Sequence, residues 1–305
     1  MKKTNIFRVF GVGCFVLGLC SCSSDDDTTP KEDSNGRCLR QLTLSDVSMN
    51  TRATIDPTKY DAAWETTDRP TYINLSAQPE LRSGTLTPSA ASASTSLTGD
   101  VYCRRGDSIA VILPTVTPVL PSGGTLSFPV DLSEQKGTLD DIGARYHYIY
   151  GVGSVELTEG STATGSITNT KSLLSLCKFT FSHNESTVSV KSVKINYKAE
   201  STGNLKGYPQ AGTVSLADPA NVHVTAGAPI EDKPLVVTLD NANTDGVVYV
   251  AMFPEANKQT FHFTVSDNDN KTYTATKTAK MLEGKYYEVP VAVSELNEDD
   301  NNNDN

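Results

Sequence analysis

Apolar and polar residues alternate with a period of two along most of the chain, and the rhythm of a helix is almost absent. Val190, Val193, Ile195 and Tyr197 mark one such run, Phe261, Phe263 and Val265 another, and Tyr287, Val289, Val291 and Val293 a third. Successive residues of a strand point to opposite faces, so each run describes a strand with one face turned to a core. Turn-forming clusters separate the runs: PSGG at 121–124, STGN at 201–204 and DNDN at 267–270. The last lies between QTFHFTVS and KTYTATKT and predicts a β-hairpin. Many short strands between regular turns predict an all-β protein built from sandwiches. About 250 residues follow Arg52, which suits two tandem sandwiches better than one. Their boundary is expected within HNES, where one apolar strand ends and the next begins, giving units 53–185 and 186–294. The Ser- and Ala-rich stretch TPSAASASTSLTGD (87–100) is expected as a long surface loop of the first unit.

Two stretches near the ends depart from the common pattern. In CLRQLTLSDVSM (38–49), Leu42 and Leu44 share a face, but Val47 and Met49 continue only after a slip of phase. A one-residue slip turns side chains to the other face, so a bulge or break is predicted between Leu44 and Val47. The polar link SMNTRATID (48–56) follows, with Arg52 alone in its middle. A lone basic residue in an exposed link between a strand and the body reads as a site for proteolysis, with the bond expected to break joining Arg52 to Ala53; the plainer reading is a solvated linker residue. At the other end YEVPVAVSEL keeps strict alternation, and Pro290 confines it to an edge or exchangeable position. Added strands bind through main-chain hydrogen bonds and are selected by pockets for alternate side chains. Release of the imperfect first strand would leave an apolar groove open to water. A neighbour's better-patterned strand, carrying Tyr287, Val289, Val291 and Val293, is the candidate donor to fill it.

The first residues add an export signal to this picture. Lys2, Lys3 and Arg8 accompany the apolar run 9–19, which is too short to span a bilayer as a helix. In LCSC the small residue Ser21 precedes Cys22, whereas Leu19 precedes Cys20. The arrangement resembles a bacterial lipobox, with cleavage between Ser21 and Cys22 and lipid on Cys22. Residues 1–21 are then a signal peptide, and 22–52 a lipidated leader holding one strand. The following SSDDD resembles the acidic signal that sends some lipoproteins to the outer face of the outer membrane; the plainer reading is a solvated linker. Three cysteines remain after export and lipidation: Cys38, Cys103 and Cys177. They cannot all pair, no C-x-x-C is present, and Cys103 and Cys177 are expected as buried free thiols.

Charge and composition narrow the function classes. A net charge of −10 without a Lys/Arg-rich stripe argues against nucleic acid as a partner. Five of the negative charges fall in ELNEDDNNNDN (295–305), read as a disordered acidic tail. His147, His183, His223 and His262 are dispersed, and none stands at metal-ligand spacing with a second ligand. There is no G-x-S-x-G, H-E-x-x-H, Walker A or G-x-G-x-x-G motif. No catalytic residue, metal or cofactor is expected, and the chain does not read as an enzyme. Arg105-Gly106-Asp107 matches an integrin-binding tripeptide, but Gly106 and Asp107 more simply form a tight turn into the apolar SIAVIL. Tyr146, Tyr148 and Tyr150 alternate on one face, a spacing that serves a packed core more often than a sugar platform; Trp64 is the sole tryptophan.

With the leader and the two β-units in view, the sequence resembles the fimbrillin family, the subunits of type V pili. The resemblance rests on TRATID, on the tryptophan followed by RRGDSIAVILP, and on GGTLSFPVDLSEQKGTLDDIGARYHYIYG. It continues through LLSLCKFTFS and VVYVAMFPEANKQTFHFTVSDNDNKTYTATKTAKMLEGKYYEVPVAVS. It implies two transthyretin-like β-sandwiches and travel to the outer membrane as a lipoprotein. It further implies trimming after an arginine by an arginine-specific protease, and polymerisation with other fimbrial subunits by strand exchange. The implied setting is the cell surface: first anchored in outer-membrane lipid through Cys22, then in a fimbrium that supports adhesion to host or bacterial surfaces. The alternative is an anchored surface lipoprotein that binds a glycan or another ligand without polymerising; the small number of aromatics disfavours it. The acidic tail extends beyond the family pattern, and Cys38 falls in the segment to be excised, where the resemblance implies no role for it.

Overall fold

In a computed structural model of the chain, the structure describes residues 32–48, 54–55, 62–158, 161–199, 205–241 and 243–296. The main strands of the first half are β1 (Cys38–Ser48), β2 (Thr71–Asn74), β3 (Ser83–Thr85), β4 (Thr87–Pro88), β5 (Ser94–Cys103), β6 (Ser108–Leu113) and β7 (Ser127–Asp131). Next come β8 (Ile149–Leu157), β9 (Thr162–Ser172), β10 (Ser175–His183), β11 (Val190–Ala199) and β12 (Ala211–Ser215). The remainder are β13 (Leu235–Thr238), β14 (Val247–Met252), β15 (Glu255–Asp267), β16 (Thr272–Met281) and β17 (Tyr286–Ala292). The protein is all-β and sandwich-like, as the period-two pattern predicts.

An eight-stranded sheet runs in the order β3-β2-β6-β8-β9-β1-β5-β4. Its strand β6 is the apolar SIAVIL, and both of its faces are buried. Ile109, Val111 and Leu113 enter one core with Leu42, Leu44, Leu97 and Val101. Ala110 and Ile112 enter a second, larger core on the other side. A strand buried on both faces needs a continuous apolar run, and β6 has one.

The larger core extends into the C-terminal sheets. Strand β10 pairs antiparallel with β14 and parallel with β17. Strands β11, β15 and β16 form a second sheet, with β13 also on β11. Phe263 packs edge-on against Phe179 at 5.0 Å and Phe181 at 5.8 Å, joining these two sheets. The DNDN hairpin is present: β15 and β16 pair from Ser266↔Thr272 down the ladder, and Asn270 takes a positive φ of 63°. The position expected as a boundary falls in the turn after β10, where Asn184 and Glu185 also take positive φ. Pairing crosses that position: β7 lies antiparallel to β12, and Gln135 bridges to Val237.

Three expectations need correction. The stretch 87–100 is not a loop: β4 and most of β5 lie within it, because Thr95 and Leu97 start an inward alternation that Val101 and Cys103 continue. Serine and threonine between them supply the outward face, so low complexity conceals a strand. Tyr146 and Tyr148 precede β8, with Tyr146 closing a short π-helical turn over Ile142–Tyr146. All three tyrosines are sealed in the larger core, so they offer no surface to a sugar. The last strand runs through Glu295, which pairs with Lys271 at 3.0 Å; the expected tail therefore loses its first residue to a sheet.

Candidate functional site

The residues upstream of Arg52 form the most distinctive site in the molecule. Strand β1 lies inside the eight-stranded sheet, antiparallel to β5 along one side and parallel to β9 along the other. Its burial alternates through Cys38, Arg40, Leu42 and Leu44 and then resumes at Val47. The ladder with β5 shifts register between Leu44 and Val47, where the sequence predicts the bulge. Asp46 sits in that gap with φ of 52°, a left-handed conformation that aspartate tolerates better than most residues. One extra residue thus turns Val47 back into the core, where Val47 is fully buried.

Side chains fasten both ends of β1. At its start the Arg37 guanidinium donates from Nε to Asp107 Oδ2 at 2.7 Å and from Nη2 to Asp107 Oδ1 at 2.9 Å. Arg37 is 5% exposed and Asp107 1%, so this two-pronged pair is shielded from water. Asn74 Nδ2 donates to Asp107 Oδ2 at 2.8 Å, and the Arg104 N–H donates to the same oxygen at 3.1 Å. Burial alone would raise the Asp107 pKa; the hydrogen bonds from Arg37, Asn74 and Arg104 outweigh it and hold the carboxyl below its ordinary value. At the end of β1, Trp64 Nε1 donates to the Val47 carbonyl at 2.9 Å and Thr170 Oγ1 to the Ser48 carbonyl at 2.8 Å. Gly165 on β9 allows close approach: a Cβ there would stand 2.5 Å from the Ser154 carbonyl oxygen and 3.0 Å from Leu44 Cδ2.

Asp107 is the acid of the Arg105-Gly106-Asp107 tripeptide. Gly106 has φ of +80°, as a tight turn requires, and the acid faces inward to Arg37. The tripeptide is a structural turn whose carboxylate no receptor can reach. Its pairing with Arg37 spans seventy positions of sequence and has no local signature.

Cys38 opens β1 directly opposite Cys103, the last residue of β5. Both are buried free thiols, as is Cys177, which packs beside Met281 at 3.6 Å between sulfurs. The burial expected for Cys103 and Cys177 is observed, and the structure holds all three side chains as thiols.

The candidate donor strand is elsewhere. Strand β17 lies parallel on β10, from Leu176↔Tyr286 to Ser182↔Ala292. Val291 and Val293 are buried, Tyr287 and Val289 half-buried, and all four share the face toward the body. Among the described residues, the strand carrying Pro290 pairs with β10 alone, consistent with its missing N–H. The structure does not bring these four residues to the seat of β1. Ser21, Cys22, Arg52 and Ala53 lie outside the described residues. Among the described residues no group of three or more His, Cys, Asp or Glu comes together as a metal site, and no helix is long and apolar enough to cross a membrane.

No family model and no curated protein matches the chain. Solved structures do. A candidate cell adhesion protein from Bacteroides uniformis ATCC 8492 is similar with a TM-score of 0.50 and 14% identity, over 87% of this chain and 98% of that one. A candidate cell adhesion protein from Bacteroides ovatus ATCC 8483 is similar with a TM-score of 0.50 and 12% identity, over 86% of this chain and 97% of that one. At such identities the shared property is the fold.

Proposed function

We propose that the chain is a structural subunit of a cell-surface fimbria, exported as a lipoprotein through Cys22, trimmed after Arg52 and polymerised by strand exchange. The observation that carries this reading is the position of β1: an imperfectly phased strand, interior to a sheet, whose only onward connection runs through the link containing Arg52. Its departure would bare two ladders of backbone N–H and C=O groups and the apolar seat of Leu42, Leu44 and Val47. Such an opening cannot persist in water and takes a strand from a neighbouring copy. The neighbour's C-terminal strand, with Tyr287, Val289, Val291 and Val293 in strict alternation, is the donor. It would leave its place on β10 to enter a seat flanked by two strands. The fold shared with Bacteroides candidate cell adhesion proteins supports an adhesive surface role and a non-enzymatic one.

The test is Arg52→Ala in cells that assemble the protein. Detergent-resistant ladders should vanish, and N-terminal sequencing should find a chain that starts at Cys22 and not at Ala53. Normal ladders from the variant would overturn the reading. A second reading has one observation in its favour: the shielded Arg37–Asp107 pair holds the leader firmly. A subunit that kept its leader would serve as a lipid-held anchor, and wild-type protein recovered from the surface would then start at lipidated Cys22.

A further inference from the structure

We infer that Cys38 and Cys103 are the two ends of a disulfide that ties the leader strand to the body, so that cutting the chain at Arg52 does not by itself free β1. This rests on the exchange reading only for its consequence; the bond stands on the geometry alone.

The two residues are register partners at the end of the antiparallel ladder between β1 and β5. Directly opposed residues in such a ladder have Cα atoms about 4.5–5.5 Å apart and project to the same face. A disulfide needs a Cα separation of about 4.4–6.8 Å, a range that contains the spacing of opposed ladder partners; the structure holds the pair as thiols, the state before the bond closes. Both side chains are shut from solvent, Cys38 at 1% and Cys103 at 0% exposure. The neighbouring Arg37–Asp107 pair pins the chain one residue before Cys38, which keeps the partners in register. Cys177 lies in the other core against Met281 and does not compete. Three thiols in an oxidising compartment thus resolve into one pair and one sealed single.

The topology gives the bond its effect. Arg52 lies within the loop that Cys38 and Cys103 would close. A cut there leaves two pieces joined through sulfur, and the seat stays filled until the disulfide is also reduced. Burial raises both thiols, Cys103 up to about 11, so the seated pair is a poor nucleophile. The bond therefore forms while the exported chain folds, by exchange with a disulfide-bearing oxidoreductase. One thiolate attacks the donor disulfide to give a mixed disulfide, and the second displaces the donor. The donor leaves as a dithiol carrying both electrons, and the two protons lost by Cys38 and Cys103 balance those it gains.

The experiment uses full-length protein recovered from cells, quenched in acid, denatured and alkylated before digestion. Mass mapping should find a peptide pair containing Cys38 and Cys103 that is lighter by two hydrogens than the separate peptides, with Cys177 alkylated. Complete alkylation of both Cys38 and Cys103 would overturn the proposal. Intact protein nicked with an arginine-specific protease should retain its leader fragment on a gel without reductant and lose it with reductant. Cys103→Ser, with Cys38→Ser as the second variant should the first fail to fold, should lose the fragment in both lanes. A linked peptide pair in protein that forms no ladders with or without reductant would uphold the bond and overturn the exchange reading.

Discussion

Asp107 shows how one carboxylate can decide where a whole segment stays. It accepts hydrogen bonds from Arg37, Asn74 and the Arg104 backbone while almost fully buried. Removing one partner from a buried ion pair strands the other charge, at a typical cost of about 3–5 kcal/mol. Asp107→Ala should therefore lower the unfolding free energy from urea titration by an amount in that range, with the midpoint falling accordingly. The double variant with Arg37→Ala should lose less than the sum of the two single losses. Acid should act through the same group. The folded pKa lies below the unfolded one, so the stabilisation is complete above about pH 4 and is lost as pH falls through the lowered value. Urea midpoints of the wild type should fall over that acid window, while those of Asp107→Asn should lack this component. Parallel pH profiles for the two proteins would show that Asp107 is not the group responsible.

At the scale of the element, β1 combines a weak pattern with strong fastening. Leu44 is fully buried beside Gly165, and deleting its side chain to alanine should cost about 2–5 kcal/mol. If β1 opens as a unit, hydrogen exchange of its amides should quicken in Leu44→Ala well before that of β15; uniform quickening would mean that β1 unfolds only with the whole protein. The bulge itself was legible in the sequence, because an apolar slip from Leu44 to Val47 has only one remedy in a half-buried strand. The edge position of β17 was legible from Pro290 for an equally local reason. What escaped was of two kinds. Strand β5 hides in a Ser/Thr-rich run because hydroxyl side chains can occupy its outward face as readily as a loop. The Arg37–Asp107 pair and the Cys38–Cys103 register join residues far apart in sequence, and periodicity carries no information on which strands become neighbours.

At the scale of the molecule, the proposed reading gives the two ends of the chain separate tasks and puts export before either. Cys22→Ala should leave an unlipidated precursor that incorporates no labelled fatty acid in cells; undiminished label would refute Cys22 as the lipid site. Further along, the pairing of β7 with β12 and of Gln135 with Val237 spreads the larger core across the middle of the sequence. The seat of β1 is therefore backed by a large body. That seat also has a direction. Its occupant must run parallel to β9 and antiparallel to β5, and a reversed strand would turn each ladder into the other kind, with differently spaced and slanted hydrogen bonds. Contacts of this sort join unlike surfaces, head to tail, and extend into an open filament wherever the rotation between subunits does not close a ring. A fibre built through it would have polarity: every subunit would point the same way, with an open seat at one end and a free strand at the other.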